Sequence, residues 1–382
     1  MKLLVFSPYY PPHTGGLETH SDEFNKHLSQ EGIDITVFTP QLPFDSPEQE
    51  IKYNNVTIIR FPAFEIISNY PIPKIWLPKF WKLFFSLFKT KYSVILSRTR
   101  FFITSPMALV VAKTSRTKWV HIEHGSDFVK LSSPFKNLVA KVYDYSFGRV
   151  IFQASDMNIS ISKAVQLFVQ RFDQRISPII YRGMDFEMID SISPNPEIRK
   201  IHQQKIIIST VARLYKWKGV EHTINAIKSL PNKIKTRIIF NIIGDGEDFS
   251  RLQKLAKGEP VQLWGTLEGR QTLALIKSSD IYIHSSLPGG GLSTSLLEAM
   301  YCGCAVIATP NEGADEVVMD GKNGLIIPKS SPKAIRKAIE RLVLDKYERE
   351  DISGKAMPAI RETFGWKRSI AEYLEIFKKI EK

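Results

Sequence analysis

Ile206–Gly219, IIISTVARLYKWKG, is the stretch on which the fold turns. Six residues rich in branched side chains read as a strand, and a basic loop closed by glycine follows them. This run comes after a polar, proline-bearing stretch near residues 193–204 and opens a series: Ile238–Ile243, Val261–Trp264, Ile281–His284 and Ala305–Ala308. Helical patterns separate these runs, including Val220–Ser229 and Thr294–Tyr301. An earlier series precedes the linker: Lys2–Ser7, Ile35–Thr39, Val56–Phe61, Ser93–Leu96, Trp119–Ile122 and Met157–Ile161, with helical patterns such as Thr19–Ser29 and Pro134–Ala154. Apolar runs that end in Pro, Gly or Ser behave as buried parallel strands. Two βαβ series joined by a linker predict an α/β protein of two Rossmann-like, doubly wound domains, residues 1–185 and 186–364. Ligands of such sheets sit at the carboxyl ends of strands, so the expected site is the central cleft between the two domains. Residues 365–382 close the chain as an amphipathic helix carrying Ile370, Tyr373, Leu374 and Phe377 on one side.

Bulk composition agrees with two soluble globular domains: 382 residues, 43% hydrophobic and 24% charged, without a low-complexity run. Cys302 and Cys304 are the two cysteines, too close for ordinary bracing, and read as reduced thiols. Met1 leads straight into a strand-like run with no cleavage signal, and no apolar stretch has the length of a membrane span. The expected location is therefore cytoplasmic, either free or peripheral at the inner face of the membrane. A net charge of +13 calls for an anionic partner: nucleic acid, nucleotide phosphates or an acidic membrane surface. Nucleic-acid binding explains the charge but neither the glycine loops nor Glu298.

Four segments can carry chemistry. Pro11–Glu18, PPHTGGLE, follows the first strand and opens a helix; Gly15 and Gly16 permit close backbone approach to an anion at the helix start. A tight turn needing glycine gives the same pattern. Arg213 and Lys218, five residues apart in the loop after Ile206–Val211, can clamp two phosphates without a metal and stabilise charge on a departing diphosphate. In Pro288–Met300, PGGGLSTSLLEAM, the loop residues Gly290, Gly291, Leu292 and Ser293 offer N–H groups to phosphate or sugar oxygens. Glu298, set between Leu297 and Ala299, either accepts ribose hydroxyls or pairs with a basic neighbour. His124, in His121–Asp127 (HIEHGSD), stands at the carboxyl end of a strand and faces the expected cleft.

Together these segments resemble family 4 of the retaining glycosyltransferases, which have the GT-B fold. The likeness runs through Gly15-Gly16-x-Glu18, His124-Gly125-x-Asp127, Ser162-Lys163, Arg213…Lys218-Gly219, Gly244-Asp245-Gly246 and Leu297-Glu298-Ala299-Met300-x-Cys302-Gly303. Tyr181-Arg182-Gly183-Met184-Asp185 stands where the family often has Asn-Gly-Val-Asp, and Phe364-Gly365-Trp366 precedes a helix that in the family crosses back onto the first domain. The resemblance implies that Arg213 and Lys218 hold a donor diphosphate, that Glu298 binds its ribose, and that Gly15 and Gly16 line the phosphates and acceptor. It places His124 near the transferred sugar, with Asp127 as a further sugar contact. It also implies transfer with retention from a nucleotide-diphosphate sugar to a glycan or lipid-linked acceptor, with no cofactor and no metal. One position departs: the family usually has a glutamate eight residues before the ribose-binding one, and here Gly290 stands there. A nucleotide-sugar epimerase and a nucleotide-sugar-binding protein without turnover are the rival readings.

Lys74–Lys91, KIWLPKFWKLFFSLFKTK, holds five lysines, six aromatic residues and no acid. Read as a helix, it groups Trp76, Phe80, Leu83, Phe84, Leu87 and Phe88 on one face, with Trp81 and Phe85 widening it. Such a face suits an anionic membrane surface; a buried helix with solvated lysines is the plain alternative.

Overall fold

The computed structural model describes residues 1–381 apart from 14, 68–69, 129–133, 288–291 and 312. The chain forms two compact units, Met1–Met184 with Phe364–Lys382, and Asp185–Thr363.

The first unit contains strands β1 (Lys2–Phe6), β2 (Asp34–Pro40), β3 (Gln49–Lys52), β4 (Val56–Phe61), β5 (Ala63–Ile67), β6 (Tyr70–Pro73), β7 (Val94–Arg98), β8 (Lys118–Glu123) and β9 (Met157–Ser160). Seven of them make one sheet in the order β3-β4-β2-β1-β7-β8-β9, parallel except for the edge strand β3. The chain reverses its direction of travel across the sheet between β1 and β7, which makes their carboxyl ends the switch point. Helices α1 (Gly16–Gln30) and α6 (Lys163–Val169) cover one face with the terminal helix Trp366–Glu381. Helices α2 (Pro78–Ser86), α3 (Thr104–Ser115) and α5 (Arg149–Ala154) cover the other, and α4 (Pro134–Tyr143) runs into α5 through a π turn at Asp144–Gly148.

The terminal helix joins this unit through aromatic packing. Tyr373 meets Phe24 at 4.8 Å between ring centroids, and Trp366 stacks between His20 (5.4 Å) and His27 (5.0 Å). The indole lies flat on Gly183, where an added Cβ would stand 2.1 Å from it. Glycine is there for space, so any larger residue must push the terminal helix outward.

The second unit has a six-stranded, wholly parallel sheet. Its strands are β10 (Ile206–Val211), β11 (Ile238–Ile243), β12 (Val261–Gly265), β13 (Ile281–His284), β14 (Ala305–Ala308) and β15 (Leu325–Ile326), ordered β12-β11-β10-β13-β14-β15. Here the switch point lies between β10 and β13.

Each strand-like run of the sequence is a strand. Most are buried on both faces and need no alternation, whereas β4 alternates buried and half-buried positions and the edge strand β12 is only partly buried. The strands that the pattern misses are edge or accessory ones. β3 is polar (QEIK), β5 and β6 form a separate hairpin with Pro71 and Pro73 in its second arm, and β15 is two residues long.

The pattern at 134–154 is helical throughout, with a π turn at Asp144–Gly148 that carries Asp144 inward to Arg100. One helical expectation needs correction. Lys74–Lys91 is not one amphipathic helix. Pro78 opens a nine-residue helix that continues only as a 3-10 turn at Leu87–Lys89. Its apolar stripe divides: Phe80, Phe84 and Leu87 belong to the core under the sheet, whereas Trp76, Trp81, Phe85 and Phe88 are exposed.

Candidate active site

In the second unit the loop after β10 is held by glycines of its neighbours. The Leu214 N–H donates to Asp245 O (2.8 Å), and the Asp248 N–H donates to Leu214 O (3.0 Å). Gly244 (φ +127°) comes so near that an added Cβ would stand 2.0 Å from Ala212 O, and one on Gly246 would stand 2.6 Å from Leu214 O. The Gly244-Asp245-Gly246 turn is thus a backbone clamp beneath the Arg213 loop. Lys216–Lys218 forms a 3-10 turn closed by Gly219 at φ +66°, where an added Cβ would stand 2.2 Å from Ser285 O. The loop after β13 completes the hold: Ser285 Oγ donates to Lys218 O (3.2 Å) and the Leu287 N–H to Trp217 O (2.7 Å). Arg213 is left exposed, and Lys218 Nζ lies 4.2 Å from the Trp217 ring centroid.

The helix Thr294–Tyr301 is tied to the same strand end. Ser295 Oγ donates to Val211 O (3.2 Å), and the buried Tyr282 hydroxyl donates to Ser295 Oγ (2.8 Å). Burial raises the Tyr282 phenol above its ordinary range, so it stays a donor. Glu298 sits one turn further along, half-buried between the buried Leu297 and Ala299. Leu292 is buried, and Ser293, the N-cap, lies 3.1 Å from Ser295 through the hydroxyls. The structure therefore brings Arg213, Lys218, Ser293 and Glu298 to the carboxyl edge at the β10–β13 switch point. Gly290 and Gly291 lie outside the described residues. Cys302 and Cys304 are free thiols; burial pushes Cys302 up to about 12, which leaves it protonated and unreactive.

In the first unit Gly15 and Gly16 have different surroundings. An added Cβ on Gly15 would stand 2.3 Å from the Glu18 carboxylate, whereas nothing lies within 4 Å of one on Gly16. Glu18 is buried over the turn and meets His13 Nδ1 at 2.7 Å. Gly16 is the open member of the pair.

His124 follows β8 on a loop anchored by a buried ion network. Glu123 Oε1 accepts the N–H groups of His124 (3.0 Å) and Gly125 (2.7 Å), and Arg100 Nη1 lies 3.1 Å from the same oxygen. Arg100 also donates to both Asp144 oxygens (2.9 and 3.0 Å) and to Asp127 O (3.1 Å). One guanidinium thereby fixes the whole His124–Asp127 turn. Burial alone would raise the Glu123 carboxyl, but Arg100, His121 and the Gly125 N–H outweigh it and hold it at about 2. Burial first, joined by the Glu123 and Asp127 charges, raises the Asp144 carboxyl against the lowering effect of Arg100.

Arg100 and Asp144 belong to none of the four sequence segments above. The available signal was two arginines ending an apolar strand, SVILSRTR, since buried arginines require partners.

His124 keeps an edge toward solvent, yet burial and then Arg98 lower its pKa to about 3. It therefore offers a neutral imidazole, able to hydrogen-bond a sugar hydroxyl. His20, 5.6 Å away between ring centroids, is also held neutral, by burial first and by Arg182 and Arg98 next. Both folded values lie below the ordinary 6.5, so the unfolded chain takes up protons that the folded one refuses as pH falls below it. Stability should be full above pH ~6.5 and decline beneath it by up to ~1.4 kcal/mol per pH unit for each histidine. Thermal melts from pH 7.5 to 5 check this, and His20→Gln should flatten the slope.

The two catalogued halves of this architecture match separate family profiles. Glycosyltransferase Family 4 covers residues 14–188, and Glycosyl transferases group 1 covers residues 192–357. An uncharacterized glycosyltransferase of Methanocaldococcus jannaschii is 46% identical over 388 residues, spanning 100% of this chain and 99% of the relative. The chain belongs to the group 1, family 4 glycosyltransferases. This glycosyltransferase has the GT-B fold. Sucrose-phosphate synthase from Thermosynechococcus elongatus superposes with a TM-score of 0.81 at 18% identity, over 99% of this chain and 98% of that one. Anabaena Alr3699/HepE in complex with UDP-glucose gives 0.72 at 20% identity, over 98% and 99%. Sugar transfer from a nucleotide sugar is the activity of this family.

Proposed function

We propose that this glycosyltransferase moves its sugar with retention of configuration, without a metal, onto a lipid-linked or cell-surface glycan precursor. The observation that carries the reading is the glycine-clamped loop that sets Arg213 and Lys218 beside the Glu298 helix at one strand end. Two cations carried on a backbone-held loop supply the charge stabilisation that a departing diphosphate requires, the role a divalent ion would otherwise take. The acceptor hydroxyl attacks the anomeric carbon on the face from which the diphosphate leaves, and no enzymic carboxylate nucleophile is needed. Glu298 accepts the ribose hydroxyls. His124, neutral and held by the Arg100 network, donates to or accepts from a hydroxyl of the moving sugar, with Asp127 beside it. Gly16 leaves room for the phosphates or acceptor, and Gly15 holds the turn. The solved Anabaena complex makes UDP-glucose the first donor to try.

Glu298→Ala tests the ribose assignment. Loss of a carboxylate that accepts two hydroxyls should weaken nucleoside diphosphate binding by about 1–3 kcal/mol. Calorimetry reads it, and unchanged affinity with a large drop in melting temperature would make Glu298 a structural charge instead.

A second reading, nucleotide-sugar binding without turnover, is favoured by one observation: Gly290 stands where the family usually has a glutamate. A panel of nucleotide sugars assayed for nucleoside diphosphate release separates the two. Donor binding with no release on any acceptor would select the second.

A further inference from the structure

Residues 66–122 contain no aspartate or glutamate, yet they contain ten lysines and arginines. From 128 to 155 the one acid is Asp144, buried against Arg100. Of the helices built from these two stretches, α2, α3 and α5 share one core on a face of the first unit's sheet, and α4 leads into α5 through the π turn. Their outer surfaces are strongly apolar. On α4 and its π turn, Phe135 (73% exposed), Leu138 (59%), Val142 (59%) and Phe147 (57%) point outward. Beside α2, Trp76 (63%) and Phe85 (59%) do the same. Soluble monomers seldom leave so much contiguous apolar surface without an occupant.

The two patches are connected. A groove of about 510 Å³ between α2 and α3 is lined by Tyr70, Trp81, Phe84, Ile103, Met107 and Val110. Tyr70 meets Phe101 at 5.3 Å, Phe101 meets Tyr143 of α4 at 5.5 Å, and Tyr143 stacks on Phe147 at 5.5 Å. Exposed Lys82, Lys89 and Lys91 border the α2 side, and Lys141 and Arg149 border the α4 side. No exposed acid of these two stretches offsets them.

We infer that this continuous α2–groove–α4 surface seats the first unit on an anionic lipid bilayer, with α4 contributing as much as the Lys74–Lys91 segment. Charge complementarity selects the occupant. A second copy of the chain docked on this face would bring lysine-rich rims together, whereas anionic headgroups meet the lysines while the aromatic and aliphatic tips enter the acyl boundary. The α2 helix alone is too short, with half its stripe turned into the core, to account for stable binding. The inference serves the membrane acceptor proposed above but stands apart from it, because bilayer binding is read without donor or acceptor.

The full chain should co-sediment with vesicles of equal parts phosphatidylcholine and phosphatidylglycerol, far less with phosphatidylcholine alone, and less again in high salt. Leu138→Ser/Val142→Ser on α4 and Trp76→Ser/Phe85→Ser beside α2 should each reduce partitioning by about tenfold or more, on the scale of removing two partly inserted apolar side chains. Together they should abolish it. Unchanged melting temperatures verify the fold, since all four side chains are exposed. Wild-type chain that ignores anionic vesicles would overturn the inference. So would an α4 variant that binds like wild type, or a wild-type dimer in light scattering that the α4 variant dissolves without vesicle binding having occurred. None of these outcomes bears on nucleoside diphosphate release, so the transferase assignment is judged separately.

Discussion

Arg213→Ala and Lys218→Ala should each slow transfer by ~10²–10³-fold, the loss expected for one preorganised group facing charge that develops in the transition state. Folding should be unaffected. Arg213 is exposed, and the clamp around the loop is made of backbone: Leu214 to Asp245 and Asp248, Trp217 to Leu287, Lys218 to Ser285. The rate ratio should therefore appear with an unchanged melting temperature. Lys→Arg at 218 should recover little, because a planar guanidinium does not replace a compact ammonium seated beside Trp217. The measurement is nucleoside diphosphate release under saturating donor, with and without chelator. Near-wild-type rates in both variants would remove the diphosphate clamp, and a rate lost on chelation would remove the metal-free mechanism.

Arg100→Ala should be the most destabilising of the substitutions considered. Arg100 joins Glu123, Asp144 and the Asp127 carbonyl, and its side chain is almost wholly buried. Its removal leaves Glu123 a buried carboxylate with no guanidinium, a change that costs about 3–5 kcal/mol in comparable pairs. Urea unfolding monitored on the first unit reads the cost; a loss below ~1 kcal/mol would show that the network is energetically idle. Transfer should fall in the same variant, since the His124–Asp127 turn loses its anchor. Arg100→Lys should restore part of the stability but little of the turn geometry, having one head group where the native residue reaches three acceptors. Glu123 adds an acid limit. Its folded pKa, about 2, lies below the ordinary 4.5, so its stabilisation is complete above 4.5 and is lost as pH falls toward 2. That window overlaps the lower end of the histidine-driven decline, which runs from about 6.5 toward 3 for His124, so Glu123→Gln should flatten the stability curve below pH 4.5 and leave the fall between 6.5 and 4.5 in place.

Much of the site was legible in the chain because its signals are local. The clamp glycines, the Arg213–Lys218 spacing and the Leu297-Glu298-Ala299-Met300 run all lie within single loops or turns, where one residue's conformational freedom or charge reports directly on its role. The two strand series are legible for the same reason. A strand buried on both faces must be apolar throughout, so β1, β2, β7, β8 and β9, and then β10, β11, β13 and β14, stand out as runs, and the partly buried β4 and β12 keep enough branched and aromatic residues to join them. Exposed and antiparallel strands carry no such constraint, and β3, β5 and β6 escaped.

What the sequence alone determined is therefore the α/β class, the doubled series and the residues at the switch point of the second sheet. Tertiary structure decided the rest, because it concerns groups distant in the chain. Arg100 meets Glu123, Asp127 and Asp144 only because β7, β8 and the π turn converge. Gly183 must be glycine only because Trp366 lies on it. Which aromatics of Lys74–Lys91 are core and which are surface depends on how α2 is rolled against the sheet, and a hydrophobic residue is equally apolar in either place. Burial is a property of the neighbours, and the neighbours come from elsewhere in the chain.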